Sequence, residues 1–577
     1  MKLSKYILMT SALLLGAAAY ADDFDDFGSF GDDGADSAAS KIEVNGSAET
    51  EIRAYVDVDE AKADKVEMDV TPSASIDLSY NGNKSDISLT LKIDEDTIKN
   101  HPEDVIDEAV LRGYFGNLTL EAGKMKVVWG KGDKLHVLDN FNADDYSDFI
   151  IPDYLDRRIS TPMVRAVYSL PFANMNLEGV YTPLLPVDRF ASDGRWTPAQ
   201  VGALTGLVTD SAKAKVTACT ERLEKIRMEA TEASTLKALM TAGNTDATTA
   251  LTSMVTNAYL AGNISYTTAE VAAVLTKMGV NPLAATDEQK LAAAKAVLAE
   301  KYEAYLTDEL ESAETDYTLC LANANALSAD PDVIYPNLWT LKYGQYGARV
   351  TATLGQVDLG LSYYNGWYKQ PSFNESKLAG FLESYLLDGE VSEEDKFLAY
   401  DKKQTFGLEA SSIIWHFNVR GEFAYNLTDD LDGTDPWVHN NSIAWLGGFD
   451  IDLPFWNANL NVQETGSLIL NGDECDKRPG DGDKRPGDVD NKKAYTNNKV
   501  VCNITTSFMN DKLAPEVTVM YGIERGDLVV MPKLAFKPDQ NLTLSASGMI
   551  INCADEDSEF YSWRKNSFAS ISAKYQF

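Results

Sequence analysis

The chain has 577 residues, of which 24% are charged, and it carries a formal net charge of −37. This acidic balance argues against nucleic acid as a partner, because binding phosphates needs a basic surface. The four histidines have no zinc-ligand spacing, and the sequence contains no Gly-x-Ser-x-Gly motif, phosphate-binding glycine loop or Cys-x-x-Cys pair. We therefore expect no metal, no cofactor and no enzymatic activity.

The first 21 residues have the features of a secretory signal peptide. Lys2 and Lys5 precede an apolar run from Tyr6 to Ala18, and Ala19-Tyr20-Ala21 has the small-x-small form of a cleavage site. The mature chain is then predicted to begin at Asp22, outside the bacterial cytoplasm. No other run of about 18 apolar residues predicts a membrane-spanning helix.

The mature chain begins with an acidic, low-complexity stretch, residues 22–40, which predicts a disordered leader. Strict alternation follows. From Ile42 to Val56, uncharged residues occupy every even position and polar or charged residues most odd ones. The same period of two recurs in segments such as 66–80, 85–95 and 541–551. About 16–18 such segments, each about 10 residues long and separated by turns, predict an all-β transmembrane antiparallel barrel.

A soluble sandwich or propeller would also alternate, so loop lengths are needed to separate these classes. Every second connection is brief, as at Asn81-Gly82-Asn83-Lys84 and Gly116-Asn117, whereas the others include the long segments 129–161 and 183–340. Outer-membrane barrels are built with short turns at the periplasmic rim and long loops outside. The pattern therefore predicts the cell outer membrane as the location.

The predicted organisation has five parts. They are a signal peptide (1–21), a leader (22–40), an N-terminal part of the barrel (41–182), a large α-helical extracellular insertion (183–340) and a C-terminal part of the barrel (341–577).

The C-terminal sequence SFASISAKYQF resembles the assembly signal of Gram-negative outer-membrane β-barrel proteins of the porin type. It ends on Phe577 and has a second aromatic residue, Tyr575, two positions earlier. The resemblance implies that the barrel assembly machinery reads this strand, and that both rings face lipid near the periplasmic interface.

A second resemblance covers residues 118–170 and 343–371. Trp129, Gly130 and Asp133, followed by Asn142 to Asp145, are similar to the Trp-Gly-x-x-Asp pattern of a largely uncharacterised family of barrels related to porins. The helical insertion departs from that family. The resemblance therefore indicates a class of protein and no particular solute.

Between residues 195 and 330 the apolar period changes from two to about 3.6, which predicts four or five amphipathic helices. Cys219 and Cys320 lie on the apolar faces of two of them. We expect a disulfide between these two cysteines, with buried free thiols as the alternative. Cys475 and Cys502, at the two ends of the loop 467–498, are a second candidate pair, for which Cys553 competes.

Strand parity places many charged side chains inside the barrel, where we expect them to set its selectivity. The loop 129–161, closed by Arg157 and Arg158, is the candidate constriction. An acidic lumen would concentrate cations, although the same charges could merely solvate a plugged interior. The charged residues predicted to point inward and set the selectivity are Glu43, Glu49, Glu51, Glu67, Asp69, Asp77, Arg112 and Arg165.

The sequence therefore predicts an outer-membrane channel for passive or weakly selective diffusion of small solutes, possibly preferring cations. The alternative is a surface adhesin or receptor that acts through the helical insertion. The expected partners are outer-membrane lipid, the barrel assembly machinery and small solutes, and a homo-oligomer is left open.

Overall fold

The structure is a computed structural model, and it describes residues 42–56, 67–148, 154–472, 495–554, 556 and 558–577. The predicted signal peptide, the whole predicted leader and Cys475 lie outside these residues. The chain divides into two compact units. The barrel unit comprises Met1–Gly202, Asn337–Phe373 and Leu398–Phe577, and the helical unit comprises Ala203–Pro336 and Asn374–Phe397.

The barrel unit contains an 18-stranded sheet in which neighbouring strands are antiparallel. The predicted all-β barrel is confirmed. Its alternating segments become strands because alternation gives each strand one apolar and one polar face. The strands are β1 Ile42–Tyr55, β2 Glu67–Asn81, β3 Ser85–Ile93, β4 Ile106–Phe115, β5 Leu118–Met125, β6 Thr161–Leu170, β7 Met175–Thr182, β8 Gln345–Leu354, β9 Val357–Trp367, β10 Lys402–Ile414, β11 Phe417–Leu427, β12 Ser442–Asp452, β13 Asn459–Ile469, β14 Thr496–Thr505, β15 Leu513–Gly522, β16 Leu528–Phe536, β17 Leu542–Asn552 and β18 Phe568–Gln576.

The sheet closes on itself because β1 pairs with both β2 and β18. Tyr55 lies opposite Phe568, and Ser47 lies opposite Gln576. Closure leaves no strand with an unpaired edge, so every strand has a hydrogen-bonded neighbour on both sides.

The connections alternate in length, as predicted. Those after even-numbered strands are short, and those after odd-numbered strands include the long segments. The turn after β10 is among the shortest. The β10 strand ends at Ile414, and Trp415, with a φ of +57°, begins the turn.

The outer face of the barrel is apolar. Leu111, Leu361 and Ile571 expose 54%, 59% and 60% of their surface on this face. Side chains at the positions between such residues point into the lumen, where Tyr55 and Phe568, for example, lie in one buried apolar cluster.

The helical unit confirms the predicted change of period. Its helices are α1 Ala199–Thr241, α2 Thr245–Leu260, α3 Thr268–Lys277, α4 Asp287–Ala329 and α5 Glu375–Asp388. Side chains of Asn244, Thr267 and Thr286 cap the N-termini of α2, α3 and α4. The helix α5, which lies in the connection between β9 and β10, was not predicted from the sequence. Among the described residues no helix is both long and apolar enough to cross a membrane.

Candidate functional site

One wall of the lumen carries a continuous row of ion pairs, which we call the ion-pair row. Arg112 bonds Glu121 at 2.5 Å, Arg165 bonds Glu121 at 2.8 Å and Glu178 at 2.7 Å. Arg349 continues the row with Glu178 at 3.7 Å and also pairs with Glu409. Three arginines face three glutamates, so their charges cancel.

The row crosses one strand that contributes no charge to it. Arg349 lies on β8 and Glu409 on β10, and Gly360 lies between them on β9. A Cβ atom at Gly360 would lie 2.5 Å from Glu409 side-chain atoms. The glycine therefore leaves the space that the Glu409 side chain occupies.

The described residues of the connection between β5 and β6, 126–148 and 154–160, fold into the barrel, and we call them the inner loop. Its main anchor is the fully buried carboxylate of Glu422 on β11. Four backbone N–H groups donate to this carboxylate, and His136 Nδ1 lies 3.2 Å from it. The donors are Lys131 and Gly132 at 2.7 Å, Val137 at 2.9 Å and Leu138 at 3.3 Å.

The inner loop reaches across the lumen. Asp133 pairs with Arg420 and accepts a hydrogen bond from Asn461 at 2.6 Å, and Lys134 N donates to Gln463 Oε1 at 3.0 Å. Asn461 and Gln463 belong to β13, the eighth strand from β5 around a ring of 18. On another side, Asp148 accepts two hydrogen bonds from Arg53 of β1, at 3.0 and 3.1 Å. The loop is therefore fastened to several parts of the wall.

The motif residues of the inner loop explain its local shape. The Trp129 ring contacts Phe141, which in turn contacts Tyr364 of β9, with ring centroids 5.0 and 5.3 Å apart. Gly130 has a φ of +118°, and a Cβ atom there would lie 2.4 Å from Glu422 Oε1. The Trp-Gly pair thus places an aromatic anchor against the wall and lets the backbone approach the carboxylate.

The base of the inner loop is a buried polar network. Arg158 pairs with Asp139 and Asp144, and Arg157 lies 3.3 Å from Asp144. Neither predicted arginine presents a free charge to the lumen. Asn142 fixes the two ends of the loop by accepting from Val127 N at 2.8 Å and donating to Ile159 O at 2.9 Å.

Two neighbouring groups in this network have shifted pKa values. Burial raises the pKa of Asp188, which accepts hydrogen bonds from Asp144 N and Gln370 Nε2 at 3.0 Å each. Burial also lowers the pKa of Lys369, whose ammonium donates to Gln345 Oε1 at 2.7 Å. Both shifts favour the neutral form, as desolvation requires.

Water reaches a different part of the wall. On β2, every inward residue from Glu67 to Ser79 is at least partly exposed, whereas on β7 Glu178, Val180 and Thr182 are buried. Small hydroxyl side chains dominate the accessible wall, which we call the serine wall. Its inward serines on β17, β18, β1, β2 and β3 are Ser545, Ser547, Ser572, Ser47, Ser73, Ser75, Ser79 and Ser88.

The predicted acidic lumen residues all lie on this side of the barrel and point inward. Glu51 pairs with Arg53 at 3.0 Å, Glu67 with Arg195 at 2.7 Å, and Glu49 lies 3.9 Å from Lys574. Glu43, Asp69 and Asp77 are exposed, and none forms an ion pair within the described parts of the chain. The predicted Arg112 and Arg165 also point inward, but both are neutralised in the ion-pair row.

Glu422, Glu178 and Glu409 were not among the site residues predicted from the sequence. Strand parity could have identified them, because each lies on the inward face of an alternating strand. Their partners could not be identified in this way. Glu422 contacts loop residues 284 to 291 positions away along the chain.

The cysteines lie in different environments. The Sγ atoms of Cys219 and Cys320 are 3.0 Å apart and buried between α1 and α4. Cys502 lies at the seventh position of β14, on its outward face beside Ile504, and so within the strand and not at the end of the loop 467–498, where it was predicted. Its proposed partner Cys475 lies outside the described residues.

A closed sheet with an apolar outer face is the arrangement that satisfies all backbone polar groups inside lipid. Antiparallel barrels of this kind span outer membranes, and the long loops of this barrel all leave the same rim. The protein therefore has the architecture of an outer-membrane β-barrel.

No protein-family model matches the sequence, and no curated protein matches it. Among solved structures, the chain is similar to Acinetobacter baumannii OccAB3, with 8% identity, 93% of this chain and 99% of that chain covered, and a TM-score of 0.38. It is similar to a BenF-like porin from Pseudomonas fluorescens Pf-5, with 9% identity, coverage of 93% and 98%, and a TM-score of 0.40. The outer membrane protein OpdK from Pseudomonas aeruginosa has 8% identity, coverage of 93% and 98%, and a TM-score of 0.37.

Proposed function

We propose that the protein is a channel through which small solutes diffuse across the outer membrane. The observation that carries this proposal is the unbroken water-accessible face of β2, from Glu67 to Ser79. The passage runs along the serine wall and between it and the inner loop. Hydroxyl groups there offer weak hydrogen bonds to many polar solutes, which suits diffusion better than tight binding.

The width of the passage is fixed by the inner loop. The loop is bonded to β1, β11 and β13, and its carboxylate anchor accepts four backbone hydrogen bonds. Because these attachments lie on widely separated strands, the loop cannot move toward one wall without breaking bonds to another. The opening is therefore held at a set size.

We further propose that the channel prefers cations. Asp69, Asp77 and Glu43 are exposed and form no ion pair with any described residue, whereas the arginines of the ion-pair row are neutralised by glutamates. A unit charge attracts an opposite charge 4 Å away by about 1 kcal/mol in water, which is a factor of about five in local concentration. Three carboxylates along one passage then favour cations over anions.

Planar-bilayer recording of the purified full-length protein tests the proposal. We expect discrete current steps and, in a salt gradient, a reversal potential that favours the cation. Steps with anion preference would contradict the selectivity but not the channel. A silent bilayer, with protein whose electrophoretic mobility still changes on boiling, would contradict the channel itself.

A second candidate function is a surface receptor or adhesin. It is favoured by apolar side chains at the end of the helical unit where α3 meets α4. Leu283 is 96% exposed, Met278 60% and Leu291 57%. Exposed apolar groups gathered in one region are typical of interaction sites. Binding of cells or extracellular proteins by the intact protein, lost when Leu283 and Leu291 become serine, would support this role.

A further inference from the structure

The long helices α1 and α4 form an antiparallel pair that brings two cysteines together. Arg222 of α1 pairs with Asp316 of α4, whereas Lys237, further along α1, pairs with Glu303, which lies earlier in α4. Cys219 and Cys320 face each other in this interface. Cys320 is fully buried and Cys219 is 9% exposed.

The geometry of the two cysteines is close to that of a bonded pair. Their Sγ atoms are 3.0 Å apart. A disulfide bond is about 2.05 Å long, so a movement of about 1 Å would suffice. Arg222, about one helical turn from Cys219, pairs with Asp316 and Glu309 of α4, and these ion pairs hold the two helices in this register.

We propose that Cys219 and Cys320 form a disulfide in the exported protein, and that this bond keeps the distal part of the helical unit attached when its exposed loops are cut. The bond would close residues 220–319 into a covalent loop that contains the end of α1, all of α2 and α3, and most of α4. This inference does not depend on the channel function.

Formation of the bond needs an oxidant. We infer that the oxidant is a disulfide-bearing carrier protein in the compartment to which the chain is exported. The thiolate of one cysteine attacks a sulfur of the carrier disulfide, and one carrier thiolate leaves. The thiolate of the second cysteine then attacks the mixed disulfide and releases the reduced carrier. Two protons are lost from the cysteines, and two electrons pass to the carrier.

The oxidation must precede packing of α1 on α4. In the folded unit both sulfurs are buried, and burial raises the pKa of Cys320 above that of a free thiol. A thiol of this kind is a poor nucleophile, because the thiolate is the reactive form. Once formed, the buried bond is protected from reductants for the same reason.

The disulfide would determine what happens when one of three exposed connections between the helices is cut. Residues 242–244, 261–267 and 278–286 join the helices and consist mainly of exposed residues. Such loops are preferred sites of proteolytic cleavage. Each of these connections lies inside the closed loop, so a single cut in any of them leaves both pieces joined through Cys219 and Cys320.

The positions of the five cysteines allow the covalent link between Cys219 and Cys320 to be detected directly. A short recognition sequence for a site-specific protease is inserted after Gly279, and the full-length protein is isolated from outer membranes with free thiols blocked. After cleavage, Cys219 is the only cysteine in the N-terminal fragment, and the other four of the five cysteines lie in the C-terminal fragment. Boiled samples are compared on denaturing gels with and without reductant.

We expect one band without reductant and two bands with it. The variant Cys320→Ser should give two bands in both lanes, and the matched control, in which Cys475, Cys502 and Cys553 are all replaced by serine, should still give one band without reductant. Two bands without reductant from the cleaved protein that keeps all five cysteines would overturn the proposal. So would a single band from Cys320→Ser, because Cys219 would then have another partner. The band pattern of the cleavable protein with all five natural cysteines tests the proposal even if a variant fails to fold.

Discussion

The ring of Phe577 lies against Gly46 across the seam that closes the barrel. The two residues exchange backbone hydrogen bonds of 2.9 and 3.0 Å, and a Cβ atom at Gly46 would lie 2.4 Å from the Phe577 ring. The final residue of the chain thus extends the closing pair of strands. Glycine at position 46 provides the space in which its ring rests on the outer face.

Phe577→Ala should reduce insertion of the barrel but preserve some closed protein, because it removes the ring and keeps the two backbone hydrogen bonds. Deletion of Phe577 should reduce insertion further, because it removes the bonds as well. Gly46→Val should resemble Phe577→Ala, since its side chain occupies the position of the ring. The heat-dependent change of mobility in detergent gels measures the closed fraction. Equal insertion of all three variants and the natural chain would show that this contact is unimportant for closure.

Glu422→Gln should release the inner loop. The substitution keeps the shape of the side chain but replaces a charged acceptor by an amide with fewer acceptor sites, and hydrogen bonds to charged groups are worth about 1.5–3 kcal/mol each. We expect a larger and noisier single-channel conductance with an unchanged mobility shift on boiling. Glu409→Gln is the matched control, because Glu409 is buried on the same wall without bonding the loop. Unchanged conductance in Glu422→Gln would mean that the loop does not limit the current.

Asp69→Asn together with Asp77→Asn should reduce the preference for cations. Both carboxylates are exposed on the inner face of β2 without an ion pair among the described residues, so their loss removes attraction without leaving a buried partner charge. The reversal potential in a salt gradient should move toward zero. Asp287→Asn, which changes an exposed acid of the helical unit, should leave it unchanged. Identical reversal potentials in the double variant and the natural protein would refute the selectivity proposal.

Removal of the whole helical unit should leave the barrel folded, because no residue of that unit takes part in the strand ladder. Both of its segments, 203–336 and 374–397, must be replaced by short Gly/Ser linkers. If only the first is removed, α5 loses the helix it contacts, and Phe381 and Leu386 become exposed. The single deletion should therefore give less closed barrel than the double deletion, as judged by the mobility shift. A larger closed fraction in the single deletion than in the double deletion would mean that α5 is stable without α4.

The fold was largely predictable because alternation is a local property. Each of the 18 strands has its own period of two, and loop lengths are read directly along the chain. The lumen was less predictable, since its organisation depends on contacts between distant segments. Parity placed Arg112 and Arg165 inside, but only the strand order reveals the glutamates that neutralise them. The anchor role of Glu422 depends on backbone N–H groups, which no side-chain pattern reports.

Two other features were missed for physical reasons. The α5 helix is short, and it is stabilised by Leu386 and Phe381 packing within the helical unit, which its own sequence does not reveal. Arg157 and Arg158 were predicted to face the lumen because they close the loop 129–161, which lies between two lumen-lining strands. Their burial is possible only because Asp139 and Asp144 are folded beside them.

The route of the solute along the serine wall is tested most directly by cysteine modification during current recording. Ser75 and Ala74 are neighbours on β2, and the strand parity places Ser75 inward and Ala74 outward. Each is replaced by cysteine in protein whose five native cysteines are serine, and a cationic methanethiosulfonate reagent is added to the bath. We predict that the current through Ser75→Cys falls in discrete steps and that the current through Ala74→Cys is unaffected. No change at Ser75→Cys, or an equal change at both positions, would contradict a water-filled passage along this wall.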